Sequence, residues 1–188
     1  MNLPNFLTIL RILLVPCFLG FMLYYQPNEN EFRFVALLVF CLAVFTDALD
    51  GFLARVRHQK TKLGTFLDPL ADKFLLTTAY LVLSLNTALT VRLPLWVPII
   101  VITRDIIILA GIILIIILVG EVKVRPTPLG KITTGFQMIT VIATLLTLPV
   151  FLLHLLWAIT IIVTVLSGLD YIRKGIGILN NHVNGRPE

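Results

Sequence analysis

The chain has 188 residues, of which 58% are hydrophobic and 13% charged, with a mean hydropathy of +0.99. Soluble domains carry roughly 25% charged residues, so the composition excludes an ordinary water-soluble globule and points to a membrane protein. The net charge of +5 suits a protein bordered by anionic headgroups. It does not suggest nucleic-acid binding, because the basic residues sit in short loops without interleaved aromatics.

Apolar runs predict six transmembrane helices over residues 6–25, 33–56, 63–85, 94–119, 131–149 and 151–172, several of them exceeding the ~20 residues that cross a bilayer. The first begins after "NLPN", with Pro4 in an entry turn, and reads as a retained helix. It has no basic flank before it and no small-residue cleavage site after it. Pro27 and Asn28 break the chain after the first helix, "RLP" and Pro98 open the fourth, and Pro149 closes the fifth. "VRPTPLG" is expected to be a loop, because Pro126 and Pro128 do not fit a regular helix. Cys17 and Cys41 lie inside apolar runs and are expected to be small buried hydrophobes, not a disulfide or metal pair.

Basic residues cluster in the 2–3 link (Arg55, Arg57, Lys60, Lys62), the 4–5 link (Lys123, Arg125, Lys131) and the tail (Arg173, Lys174, Arg186). In a six-helix topology these segments share one side with the N-terminus, and the positive-inside rule makes that side cytoplasmic. One catalytic domain over 1–175 and a short polar tail over 176–188, loosely ordered, are expected.

The segment "TDALDGFLARVRHQKTKLGTFLDPLADK" places four carboxylates among apolar runs. Asp47 and Asp50 are three apart, and Asp68 and Asp72 four apart, so each pair shares a helix face. The short basic link makes the two helices antiparallel neighbours, and the four acids can converge. Ionisable groups at membrane depth are costly and usually functional. Four clustered anions repel unless cations bridge them. All-oxygen donors suit Mg²⁺ or Mn²⁺, and two ions sharing carboxylates suit phosphoryl chemistry. Gly51, Ala54 and Gly64 flank the acids, so side-chain bulk is missing where a ligand approaches. Single aspartates would read as helix-end residues or ion-pair partners; this spacing favours a site.

Asp47-x-x-Asp50-Gly51-x-x-Ala54-Arg55, then eight residues, then Gly64-x-x-x-Asp68-x-x-x-Asp72 resembles the signature of the CDP-alcohol phosphatidyltransferases, with every position filled. Helix number, length and "NLPNFLTILR" extend the likeness over nearly the whole chain. The resemblance implies an all-α, six-helix membrane bundle that transfers a phosphatidyl group from CDP-diacylglycerol to an alcohol and releases CMP. It implies that Asp47, Asp50, Asp68 and Asp72 hold two metal ions, that Asp72 is also the general base, and that Gly51, Ala54, Arg55 and Gly64 line the CDP-lipid site. It further implies a homodimer and a multi-pass protein of the inner (cytoplasmic) membrane. Lys73 reads equally well as a counter-ion of Asp72.

For the acceptor, Arg104 in "ITRDIII" is placed to grip a phosphate from inside the bundle, against the plainer reading of snorkelling or pairing with Asp105. Lys131, Thr133 and Thr134 in "GKITTGFQ" form a candidate anion site at a helix start, whereas Arg125 reads as a headgroup-facing loop charge. These segments are similar to those of bacterial phosphatidylglycerophosphate synthases, whose acceptor is sn-glycerol 3-phosphate. Those enzymes usually show Arg-Glu in place of Arg104-Asp105 and a second lysine in place of Thr133. Both departures lean toward cardiolipin synthases of the same fold, whose acceptor is phosphatidylglycerol. Two other readings compete. Membrane prenyltransferases need two separate Asp-rich motifs, and a divalent-cation transporter favours acids near the bilayer midplane on several helices.

Overall fold

A computed structural model describes the backbone of residues 3–57, 62–119 and 127–183, and the side chains of 9–49, 73–119 and 127–180. The described residues form six helices: α1 Leu3–Tyr24, α2 Asn30–Arg57, α3 Lys62–Leu85, α4 Trp96–Val119, α5 Pro128–Leu145 and α6 Val150–Val183. Their order and number agree with the reading of the apolar runs. Three are long and apolar enough to cross a membrane, over Asn30–Leu49, Trp96–Val119 and Val150–Asn180. The described parts of α1 and α3 give shorter apolar stretches, Ile9–Tyr24 and Lys73–Leu85. The fifth helix is the most polar of the later ones, because it carries Thr133, Thr134, Gln137, Thr140 and Thr144.

Three local expectations are corrected. α5 starts at Pro128, not at residue 131, because proline at the first helical position forfeits no hydrogen bond. Thr127 caps it, its Oγ1 accepting from Gly130 N at 3.1 Å. The same helix stops at Leu145, ahead of Pro149: Thr147 adopts φ 51, and Leu148 N donates back to Ala143 O. α6 runs to Val183, well past residue 172, so most of the supposed tail is helical. In addition, Cys17 is exposed on α1 and Cys41 half-buried, both free.

α1 packs on α2 and α3, while α4 and α5 pack on α6; the halves meet through α2–α5, α3–α4 and α3–α5. The core is built from Phe18, Met22, Phe40, Leu76, Tyr80 and Leu83, extended by Leu145 and Leu153. Phe18 and Phe40 are tilted at 5.9 Å between centroids. Large apolar side chains such as Leu38, Ile99, Ile117 and Phe151 point outward, as expected where lipid is the solvent. Between α5 and α6 the Thr140 and Thr160 hydroxyls are 2.7 Å apart, while Thr144 and Thr164 each donate back to a carbonyl of their own helix, Thr140 O and Thr160 O. At one end of the bundle Asn86 closes the turn after α3. Its Oδ1 accepts from Ala88 N and its Nδ2 donates to Met22 O at 2.6 Å, locking α1 to that turn.

Candidate active site

Away from Asn86, the bundle brings together the C-terminal part of α2, the N-terminal half of α3, the Arg104 region of α4, the start of α5 and the later part of α6. The backbone puts Asp47 and Asp50 in α2 and Asp68 and Asp72 in α3. Each pair lies within one helix turn, separated by the link that joins the helices. The side chains of Asp50, Gly51, Ala54, Arg55, Gly64, Asp68 and Asp72 lie outside the described residues, and so does Arg125.

Asp47 is described, and it has a partner that sequence reading passed over. Arg11 of α1 is fully buried, and its Nη1 lies 2.7 Å from Asp47 Oδ1. Asp47 itself is 37% exposed. The pair ties α1 to α2 at the level of the first two acids. The four aspartates of the motif offer oxygen donors only, a set that fits a hard divalent cation and not zinc. Arg11 was visible as a charge inside the apolar run "LTILRILLV", the kind of residue that marks function at membrane depth.

Arg104 sits in α4 at 7% exposure. Nη1 donates to Asp105 Oδ1 at 2.8 Å, and Nη2 to Ser167 Oγ of α6 at 2.5 Å. The Tyr171 ring lies 5.7 Å from the guanidinium carbon, a cation–π distance. Nε has no hydrogen-bond partner among the described residues. Arg104 therefore pairs with Asp105, the plainer of its two readings, and it does so inside the bundle.

The start of α5 borders the same guanidinium. A Cβ on Gly130 would lie 3.3 Å from Thr127 Oγ1, 3.4 Å from Tyr171 Cε2 and 3.5 Å from Arg104 Nη2, so glycine is what lets the helix approach so closely. Thr127 N donates to Tyr171 Oη at 3.4 Å. Lys131 follows on the exposed face of this first turn. The Thr133 hydroxyl is fully buried and donates to Leu129 O at 2.8 Å and Val163 O at 3.2 Å, holding α5 to α6. Thr134 donates to Gly130 O at 3.2 Å. Of the four residues expected to bind the acceptor, Arg104 and Lys131 keep donors unspent, whereas both threonines engage backbone carbonyls. Lys73 Nζ donates to Asp105 Oδ1 at 2.6 Å, and its expected neighbour Asp72 has its side chain outside the described residues.

Sequence reading missed Ser167 and Tyr171. The "VLSGLDY" run carried a signal, a Ser-Gly pair in an apolar helix, which marks close helix approach. Gly168 serves that approach, since a Cβ there would meet Arg104 Cγ at 3.5 Å.

The described residues thus form an all-helical bundle with membrane-length apolar helices, an acid-bearing helix pair and a buried arginine beside a helix start. Residues 1–167 match the family model of the CDP-alcohol phosphatidyltransferases, and the chain belongs to that family. Family members use divalent metal ions. The chain is 36% identical over 190 residues to a CDP-diacylglycerol–glycerol-3-phosphate 3-phosphatidyltransferase of Bacillus subtilis, covering 92% of this chain and 94% of that one. It is 34% identical over 181 residues to a Mycobacterium tuberculosis protein named "Probable phosphatidylglycerophosphate synthase", covering 93% and 82%. A human cardiolipin synthase (CMP-forming) is 34% identical over 196 residues, covering 93% of this chain and 62% of that one.

Proposed function

We propose that the protein transfers the phosphatidyl group of CDP-diacylglycerol to sn-glycerol 3-phosphate, giving phosphatidylglycerophosphate and CMP. The observation that carries the acceptor half is Arg104: a buried guanidinium fixed by Asp105 and Ser167, with its Nε donor unspent, beside a helix start that favours anions. A phosphate monoester is the matching ligand, and Lys131 adds a second cation at the rim.

In this reading Asp47, Asp50, Asp68 and Asp72 hold two Mg²⁺ or Mn²⁺ ions. When bound, these neutralise the pyrophosphate and the departing CMP phosphate. Gly51, Ala54 and Gly64 leave room for the nucleotide, and Arg55 pairs with its phosphates. Asp72 takes the proton of the acceptor hydroxyl. The hydroxyl oxygen bonds to the phosphatidyl phosphorus as the bond to the CMP oxygen breaks. Thr134 edges the acceptor pocket, and Thr133 holds α5 in register behind it. The protein works as a six-span homodimer of the inner membrane, with N-terminus and active site cytoplasmic, where its basic links meet anionic lipid.

Phosphatidylglycerol as acceptor, which would make the protein a cardiolipin synthase, is the second reading. Asp105 and Thr133 favour it, as does the human relative of that name. Purified protein with labelled CDP-diacylglycerol, offered glycerol 3-phosphate, phosphatidylglycerol, inositol phosphate and serine in parallel, decides. Metal-dependent CMP release with glycerol 3-phosphate alone is expected. Release with phosphatidylglycerol alone moves the assignment, and cation flux without CMP release in folded protein defeats the enzyme reading.

A further inference from the structure

One carboxylate oxygen joins the two halves of the site. Asp105 Oδ1 receives Lys73 Nζ at 2.6 Å and Arg104 Nη1 at 2.8 Å. Lys73 belongs to α3 and directly follows Asp72, whereas Arg104 belongs to α4 and is the proposed phosphate receptor. Asp105 is 15% and Arg104 8% exposed at their side chains, so solvent screens that pair weakly, whereas Lys73 reaches the carboxylate from a 38% exposed position. Two cations on one oxygen would repel if that oxygen lost its charge. Among the described residues the guanidinium has two hydrogen-bond anchors, Asp105 at Nη1 and Ser167 at Nη2, beside the face of Tyr171. Removing the first leaves the group to pivot on the second, and Nε no longer points in a fixed direction.

We propose that Asp105 is a positioning residue that sets the separation between the acceptor-phosphate grip on α4 and the end of α3 that carries Asp72. It does this through Lys73 and Arg104, and it touches no reacting atom. The inference rests on the reading of Arg104 as the acceptor-phosphate receptor. Its consequence is a ruler: the hydroxyl to be activated and the phosphate to be held belong to one small molecule, so the two grips must stay a fixed distance apart. A misplacement of about an ångström at such a site lowers turnover substantially.

The test uses full-length enzyme in mixed micelles, with Asp105→Asn, Asp105→Glu, Lys73→Met, the double variant Asp105→Asn/Lys73→Met, and Arg104→Ala as reference. KM and kcat are measured for glycerol 3-phosphate and for CDP-diacylglycerol, with thermal unfolding as a check on folding. Asp105→Asn raises KM for glycerol 3-phosphate about tenfold or more, the scale of one charge-assisted hydrogen bond. KM for CDP-diacylglycerol stays within about twofold. Asp105→Glu keeps the charge and recovers most of the loss. Lys73→Met raises the same KM less, and adds nothing in the Asp105→Asn background, because it acts through that carboxylate.

A lowered or unchanged KM for glycerol 3-phosphate in Asp105→Asn overturns the inference, and so do additive effects in the double variant. Should Asp105→Asn fail to fold, an unchanged KM in Lys73→Met overturns it instead. If Arg104→Ala raises that KM and Asp105→Asn does not, this inference alone fails. If the wild type does not use glycerol 3-phosphate, or Arg104→Ala leaves its KM alone, the underlying reading fails and takes this one with it.

Discussion

Arg104→Lys separates charge from geometry at the proposed acceptor site. A guanidinium has five N–H donors in a rigid fork, whereas an ammonium has three on a flexible stem. Asp105 and Ser167 take one donor each from Arg104, and the buried Nε has no partner among the described residues. A lysine that satisfied both anchors would have one donor left, with no fixed direction and no flat face against Tyr171. The lost contact is a charge-assisted hydrogen bond, worth about 1.5–3 kcal/mol, which corresponds to a rise of roughly 10- to 150-fold in KM for glycerol 3-phosphate. The positive charge persists, so folding is retained and KM for CDP-diacylglycerol moves little. Initial rates of CMP release across a glycerol 3-phosphate series, at saturating CDP-diacylglycerol, measure this. An unchanged KM, or an equal rise in both KM values, would show that Arg104 serves packing only and would remove the basis for the acceptor assignment.

Asp68→Asn is expected to abolish turnover while leaving membrane insertion and detergent-solubilised folding intact; residual activity within tenfold of wild type speaks against its metal role. Arg11→Met strips Asp47 of the cation at 2.7 Å, so thermal stability falls, and added Mg²⁺ restores more of it than it adds to the wild type. Equal responses of the two proteins to Mg²⁺ would count against coupling between Arg11 and the acids. Thr127→Ala removes the cap acceptor of Gly130 N and costs about 0.5–2 kcal/mol, read as a lower unfolding midpoint. Gln137→Met leaves stability unchanged or raised, because the fully buried Oε1 has no partner among the described residues and the Nε2 bond to Thr164 is long at 3.5 Å. A clear loss would mean that this amide is satisfied by a buried water.

The helices were legible because bilayer-length apolar runs leave the backbone no alternative to internal hydrogen bonding. Their ends were less so, since local side-chain chemistry decides them. Thr127-Pro128 is at once a loop signature and a helix start, and only the hydroxyl reaching Gly130 N distinguishes the two. The acids were legible from spacing, a property of one helix at a time. Arg11 with Asp47, Lys73 with Asp105 and Arg104 with Ser167 are separated by 36, 32 and 63 positions. No periodicity encodes such pairs, because packing of separate helices creates them. Arg104-Asp105 was legible as an adjacent pair, yet adjacency concealed that the same carboxylate reaches α3.

The packing order of the helices bears on how such a site works. α1, α2 and α3 form one packed group and α4, α5 and α6 another, and α3 touches both α4 and α5. The acids lie in the first group and the Arg104 cradle in the second, so the proposed reaction would run across their seam. Within the second group, Thr133, Thr140 and Thr160 tie α5 to α6, and Ser167 ties α4 to α6. Hydrogen bonds between membrane helices average well under 1 kcal/mol each, but together they hold the cradle as one body. Across the seam near the site, the described ion pairing runs through Lys73 and Asp105. On the proposed reading, acceptor choice should respond to substitutions at Lys73 and Asp105, which join the two groups, sooner than CDP-lipid binding does.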